Sequence, residues 1–392
     1  MPFVLMASVR TPCKTVAILF GIQQTGLYAK RGDRMTTQQQ TQAPETTSPS
    51  EVRAAWVQAM RLRTLPLAAS GSFIAAGIAA HFGAFRAEVF ALMFIVSMLL
   101  QVIANFADDY GDLSHGLDDE TRVGPRRGMQ RGIITPAQMK NALTGICSIT
   151  FVLGCVLIGV SFTGGPTLTG STWSAVAFFV ALGMASIAAA VLYTVGPHPY
   201  GYLGLGDIVS AVFFGLVAVV AGSFLYLHVF EPVTLLAGVA LGLPVAAVMN
   251  INNMRDSTAD AAKGKHTIAN RLYAAGIKSA ETADVNACAT TPITREQAGE
   301  RRMRMYHRAL VYVSMALFLL VVLLTGTNLP LPLSMVRAVL VLVCFIPLAR
   351  ATSGVCHQLD HTKLDRFMAP TSMGTVLVSL GATVALLLGP IG

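Results

Sequence analysis

Charge is what this chain has least of. Only 12% of its 392 residues are Asp, Glu, Lys or Arg, about half of what an average soluble domain carries. From Asn141 to Gly206 there is none at all. A run that long cannot be one buried core helix, because about 20 apolar residues already cross a bilayer. The scarcity excludes an ordinary soluble enzyme, and the 54% hydrophobic content excludes a largely disordered chain. Cysteine is also sparse: the six show no C-x-x-C pair and no regular spacing, so neither a disulfide framework nor a zinc site is indicated. Tryptophan occurs twice. What remains reads as a polytopic, all-α integral membrane protein.

Charge-poor runs bounded by turn signals predict nine spans, near 64–80, 88–107, 139–162, 173–195, 207–228, 232–252, 308–326, 332–350 and 372–390. With the N-terminus on the cytoplasmic side, every Lys and Arg of the 28 falls on that side except Arg86 and Arg337. So strong a bias obeys the positive-inside rule and supports both the count and the orientation, with the C-terminus outside. The formal charge of +8 is then topological and does not indicate nucleic-acid binding. Membrane lipids are the expected surroundings, and the basic inner loops suit anionic ones.

Residues 1–55 read as a tail outside the membrane domain of 56–392. Positions 36–50 are polar and low in complexity, and Val16–Ile22 is too short to span. Met35 is an alternative start of translation. A second polar stretch, 273–300, reads as an inserted loop without catalytic residues.

The acidic residues carry the chemistry. The second predicted span ends in Asn105, Asp109 and Asp112; the sixth ends in Asn253, Asp256 and Asp260. Spacings of three and four place each set on one helix face. Like charges there repel, and carboxylates beside hydrocarbon are costly, so a cation should compensate. Oxygen-only donors on two helix ends suit Mg²⁺, which is held by few carboxylates together with substrate phosphates. Nearby Arg122, Arg126, Arg127 and Arg131 in one loop, with Arg255, Lys263 and Lys265 in the other, are candidates for the phosphates, since Arg forks to phosphate oxygens and Lys acts as a mobile point charge. A solvated helix end and topological bias are the simpler readings of each cluster alone; the matched pair argues against them. The connection Tyr193–Asp207 is rich in Gly and Tyr, and Tyr193 is either part of an interfacial belt or a π-face for a cationic intermediate. His357 and His361 are four apart but have no further ligand set nearby.

These residues sit in strings that resemble the UbiA superfamily of intramembrane prenyltransferases: RTLPLA at 63–68, DYGD at 109–112, RVGPRRGMQRGIIT at 122–135, YTVG at 193–196, PYGYLGLGD at 199–207 and NINNMRD at 250–256. Within it they are similar to the 1,4-dihydroxy-2-naphthoate polyprenyltransferase (MenA-type) branch, from about Trp56 to the C-terminus. The resemblance implies nine helices around a central cavity with cytoplasmic cap loops. It implies Mg²⁺ held by Asn105, Asp109, Asp112, Asp256 and Asp260 with Asn253 beside them, and a diphosphate near Arg122, Arg127 and Lys263. It implies transfer of a polyprenyl group from polyprenyl diphosphate to 1,4-dihydroxy-2-naphthoate with loss of CO₂, giving demethylmenaquinol for menaquinone, in a bacterial inner membrane. The family's basic residue in the 193–202 loop falls on His198, flanked by prolines, a departure from the pattern. For the acceptor carboxylate Arg63, His198 and Arg255 stay open. A sibling enzyme using 4-hydroxybenzoate or homogentisate, and a transporter, are the rival readings.

Overall fold

The computed structural model describes residues 48–114, 126–163, 170–262, 264–286 and 294–389. The tail before Ser48, with Met35, lies outside them, as do Arg122 and Lys263. Among the described residues nine helical segments are long and apolar enough to cross a membrane: Pro49–His81, Ala87–Ser114, Pro136–Phe162, Thr172–Leu192, Gly206–Leu227, Val233–Arg255, Arg295–Leu324, Leu331–His357 and His361–Leu387. They are called spans 1 to 9 below, and each overlaps one read from the sequence. No strand occurs among the described residues.

Three polar stretches bear on the reading above. Among the described residues the first helix is Pro49–Met60. Span 1 is not continuous: a turn in which Arg61 adopts φ 52° separates its helix Pro49–Met60 from Leu65–Ala68, and Ala69 separates that from Ser70–His81. The described parts of the stretch 273–300, expected as a loop, are helical: Ile268–Asn286 forms a cap helix and span 7 starts at Arg295 behind a Thr294/Gln297 capping box. Cap helix and span 7 approach until a Cβ at Gly276 would strike the backbone of Ala298 and Gly299.

The core is lipid-like and tightly packed around spans 6 to 9. Fully buried Ile74, Leu241, Phe318 and Leu348 belong to one apolar cluster joining spans 1, 6, 7 and 8. Span 5 widens into a π-helix at Val212–Ala221, where close approach of Gly215 to Gly238 and Gly242 seats it on span 6. π-stretches lengthen each turn and commonly mark functional regions. Here the widened stretch presents Phe213, Phe214 and Val217 to a large internal cavity.

Candidate active site

The DYGD string ends span 2, and its glycine has a packing reason. A Cβ on Gly111 would collide with the carbonyl of Thr194, so Gly111 lets the end of span 2 meet the Tyr193–Gly196 turn. A second glycine is required for its backbone: Gly204 has φ 78° and lies against the His266 carbonyl, a left-handed conformation Gly adopts without a Cβ clash. That turn is tied to the cap by His266 N–H donating to the Tyr202 carbonyl at 3.1 Å and Arg271 donating to the Leu203 carbonyl at 2.9 Å. Lys265 is thereby carried to the mouth of the cavity, over the Tyr202 ring at 6.0 Å.

The cavity measures about 780 Å³. Its charged end is lined by Asp108, Asp109 and Asp112 from span 2, Asp256 capping span 6, Asp260 from the short helix Ser257–Ala262 that follows, and Asp365 from the turn opening span 9. Against these six carboxylates stand five cations, Arg61, Arg63, Arg127, Arg255 and Lys265. The ion pairs are cross-braced. Arg61 reaches Asp108 at 2.8 Å and Asp109 at 2.9 Å. Arg127 reaches Asp109 at 3.1 Å and Asp112 at 3.0 Å, and donates to the Asp108 carbonyl. Arg255 binds Asp256 and Asp365, each at 2.6 Å, and the Asn252 amide oxygen. Lys265 Nζ forms an ion pair with the buried Asp260 Oδ2 at 3.3 Å.

Burial raises the Asp260 carboxyl above the usual carboxylate range, against the pull of Lys265. Burial works against the Lys265 ammonium too, but Asp260, Asp112 and Asp108 outweigh it and hold the lysine above its ordinary value. Tyr193 and Tyr200, stacked edge-to-face at 5.4 Å, are both shifted well up by burial, with Asp108 adding to it; both keep their phenolic protons.

Away from the charged end the lining turns apolar: Met93, Val96 and Leu100 of span 2 face Leu157, Ile158 and Phe179 of spans 3 and 4. Between Asp112 and Met93 the helix advances about 28 Å, at 1.5 Å per residue, which is nearly a hydrocarbon thickness.

The structure gathers most of the residues singled out from the sequence. Asn105, Asp109, Asp112, Asp256, Asp260, Arg127, Arg255, Tyr193 and Arg63 all line the cavity. Two are placed elsewhere. Asn253 is buried behind the cavity wall, donating to Asp207 Oδ1 at 2.8 Å while Tyr306 donates to Oδ2 at 3.2 Å; its neighbour Asn252 faces the cavity instead. Spacing carried this distinction, because Asn252, Asp256 and Asp260 form the series of fours. His198 is exposed and does not line the cavity. Asn105 lines it with its amide already engaged, donating to the Met60 carbonyl and accepting from Gln101. His357 and His361 have separate partners, Ser353 and Glu300. Sequence reasoning missed Arg61, Asp108 and Asp365. Arg61 carries a local signal only in three dimensions, since a non-glycine residue at positive φ is uncommon and strain of this kind gathers at functional sites.

Among the described residues no three carboxylates or imidazoles converge closely enough to hold a metal alone. The donor chemistry nevertheless fits a hard divalent cation. All candidate donors are oxygen, the buried Asp260 Oδ2 meets only the Lys265 ammonium at 3.3 Å, and among the described residues six carboxylates and five cations line the cavity. Mg²⁺ shares its coordination with substrate phosphates, so a partial protein set is what it requires.

An apolar chamber below a mouth built for charge is the candidate site of an integral membrane enzyme. The chain belongs to the UbiA prenyltransferase family, whose model matches residues 69–355. It is 41% identical over 218 residues to 1,4-dihydroxy-2-naphthoate octaprenyltransferase of Escherichia coli, covering 56% of this chain and 68% of that one. It is likewise 41% identical over 221 residues to the Haemophilus influenzae protein of the same name, covering 56% of this chain and 69% of that one. The Mycobacterium tuberculosis protein so named is 35% identical over 221 residues, covering 56% and 70%.

Proposed function

We propose that this protein transfers a polyprenyl group from polyprenyl diphosphate to 1,4-dihydroxy-2-naphthoate with release of diphosphate and CO₂, forming demethylmenaquinol. The observation that carries the reading is the facing of the span 2 and span 6 carboxylates across the mouth of an apolar chamber. The acceptor follows from the three relatives, each of which bears that substrate in its name.

Asp109, Asp112, Asp256 and Asp260 would hold Mg²⁺, with Asn252 in the place first given to Asn253. The metal would supply positive charge to the leaving diphosphate. Lys265 and Arg127 stand at the same mouth and add theirs, so negative charge developing on the leaving oxygen meets fixed cations in a poorly solvated site. Arg122 and Lys263 remain proposed for the same diphosphate. Cleavage of the allylic C–O bond leaves a cationic carbon below the mouth. Tyr193 and Tyr200 line the cavity there with their rings neutral, where a π-face attracts a cation and cannot be spent as a phenolate nucleophile. The apolar walls exclude the water that would otherwise trap the cation. The acceptor ring then forms the new C–C bond and loses its carboxyl group as CO₂.

For the acceptor carboxylate, the cavity favours Arg63: it lines the chamber without an ion pair to any described residue, whereas Arg255 is enclosed by Asp256, Asp365 and Asn252 and His198 lies outside. The charged mouth would face the cytoplasm of a bacterial inner membrane, in line with the positive-inside distribution.

The test is turnover in membranes given carboxyl-labelled 1,4-dihydroxy-2-naphthoate and a polyprenyl diphosphate, with Mg²⁺ or with EDTA. Labelled CO₂ and a prenylated naphthoquinol, formed only with metal, are expected. Prenylation of 4-hydroxybenzoate in its place would move the protein to a sibling reaction.

A further inference from the structure

The apolar end of the cavity has two openings in its wall of side chains, at different depths. Spans 3 and 4 run antiparallel, and the Phe162 and Phe179 rings meet at 6.3 Å. From that contact Gly183 lies level with Ile158, and Gly154 level with Ile187; all four line the cavity. Depth can be counted from Tyr193 at the mouth. Ile187, hence Gly154, is six residues away, or about 9 Å at 1.5 Å per residue, and Gly183 is ten residues away, or about 15 Å. Phe179, backed by Phe162 and Phe224, closes the series about 21 Å down.

A Cβ built on Gly154 or on Gly183 meets nothing within 4 Å. These glycines therefore do not serve close helix packing, unlike Gly111 or Gly215, where a Cβ collides with backbone. What their missing side chains leave is cavity volume. The walls between them are Ile158, Ile187 and Leu182, which offer a hydrocarbon chain dispersion contacts and no hydrogen bonds.

We propose that Gly154 and Gly183 determine which donor tail lengths the enzyme accepts, by keeping the cavity open at two successive depths for the isoprenoid chain. The occupant is the tail of the prenyl diphosphate whose head sits at the charged mouth, so the assignment rests on the prenyl-transfer reading. A bulky residue at either position obstructs the tail beyond that depth and leaves the mouth untouched. Gly154→Phe acts nearer the mouth and so discriminates against shorter donors than Gly183→Phe does.

The experiment compares kcat/KM across geranyl, farnesyl, geranylgeranyl and octaprenyl diphosphates, with a fixed acceptor and Mg²⁺, for the wild type, Gly154→Phe, Gly183→Phe and the corresponding Leu variants. Each Phe variant is expected to keep geranyl turnover within about threefold and to lose about tenfold or more with longer donors, the usual cost of overpacking. The decline starts at a shorter donor for Gly154→Phe than for Gly183→Phe. Gly145→Phe is the control: it sits on the same helix with equally open surroundings but off the cavity, and its donor profile should match the wild type. Donor profiles unchanged in all four cavity variants would overturn the assignment, as would equal loss with every donor in both the Phe and the Leu series. Absence of prenyl transfer by the wild type with any donor would instead refute the prenyl-transfer reading beneath it.

Discussion

Replacing Asp109 by Asn separates what the carboxylate does for the fold from what it does for the reaction. In the structure Asp109 Oδ1 accepts from Arg61 at 2.9 Å and lies 3.1 Å from Arg127. Asn keeps an oxygen at that position, so both contacts survive as bonds to a neutral acceptor. Each loses charge assistance, roughly 1 kcal/mol, the difference between bonds to charged and to neutral groups. Neither arginine is stranded: Arg61 retains Asp108 and Arg127 retains Asp112. The Arg61 side chain is also 31% exposed, so solvent screens part of its share. The fold should therefore lose about 1–2 kcal/mol, and the variant should insert and purify normally with a slightly lowered melting temperature. Turnover should fall far more, about 10²- to 10³-fold, the range seen when one electrostatic stabiliser of a developing charge is removed. Thermal unfolding in detergent and initial rates on the same preparation measure the two effects. A rate within tenfold of wild type in a folded variant would refute the role of Asp109 at the reacting centre. A rate loss no larger than the unfolded fraction would refute it equally.

Chelation should abolish turnover and leave the melting temperature within a degree or so, because the arginines already pair the carboxylates without metal; a large drop in melting temperature with EDTA would contradict this. Asn253→Leu should cost about 3 kcal/mol of stability by leaving Asp207 short of a buried donor, and Asn252→Leu, at the cavity wall, should lower turnover more than stability; the opposite ranking would reverse their assignments. His198→Ala should change kcat/KM by less than about twofold, since exposed residues away from a site contribute little, and a tenfold loss would place His198 in the acceptor pocket after all.

The spans were legible because hydrocarbon leaves one dominant signal, the absence of charge over membrane length. The polar parts followed weaker rules. The cap helix reads as loop by composition, yet buried Ala269 with Leu272, Tyr273 and Gly276 already traces a stripe of threes and fours. Thr294-x-x-Gln297 likewise spells the capping box that opens span 7. Within the site, period four separates Asn252 from Asn253, so that part was recoverable from spacing alone. Arg61 was not: on a continuous helix it would belong to the topological charge of the tail, and only the break at its positive φ turns it toward Asp108 and Asp109.

The two arginines that break the positive-inside distribution show the same limit from the other side. Charge counting treats Arg86 and Arg337 as exceptions, and neither is a loose surface charge. Arg86 donates to the Ser161 and Thr163 carbonyls at the end of span 3. Arg337 is fully buried and binds the Ala385 carbonyl at 2.6 Å and the Thr325 hydroxyl at 2.8 Å, at the ends of spans 9 and 7. Helix C-termini present unpaired carbonyls and partial negative charge, so each exception meets helix-end carbonyls at the membrane boundary, those of Ser161 and Thr163 for Arg86 and that of Ala385 for Arg337. A rule about charge and topology predicts where cations are scarce. What a rare cation does there depends on which helix ends reach it, and that is fixed only by the packing of spans far apart in the chain.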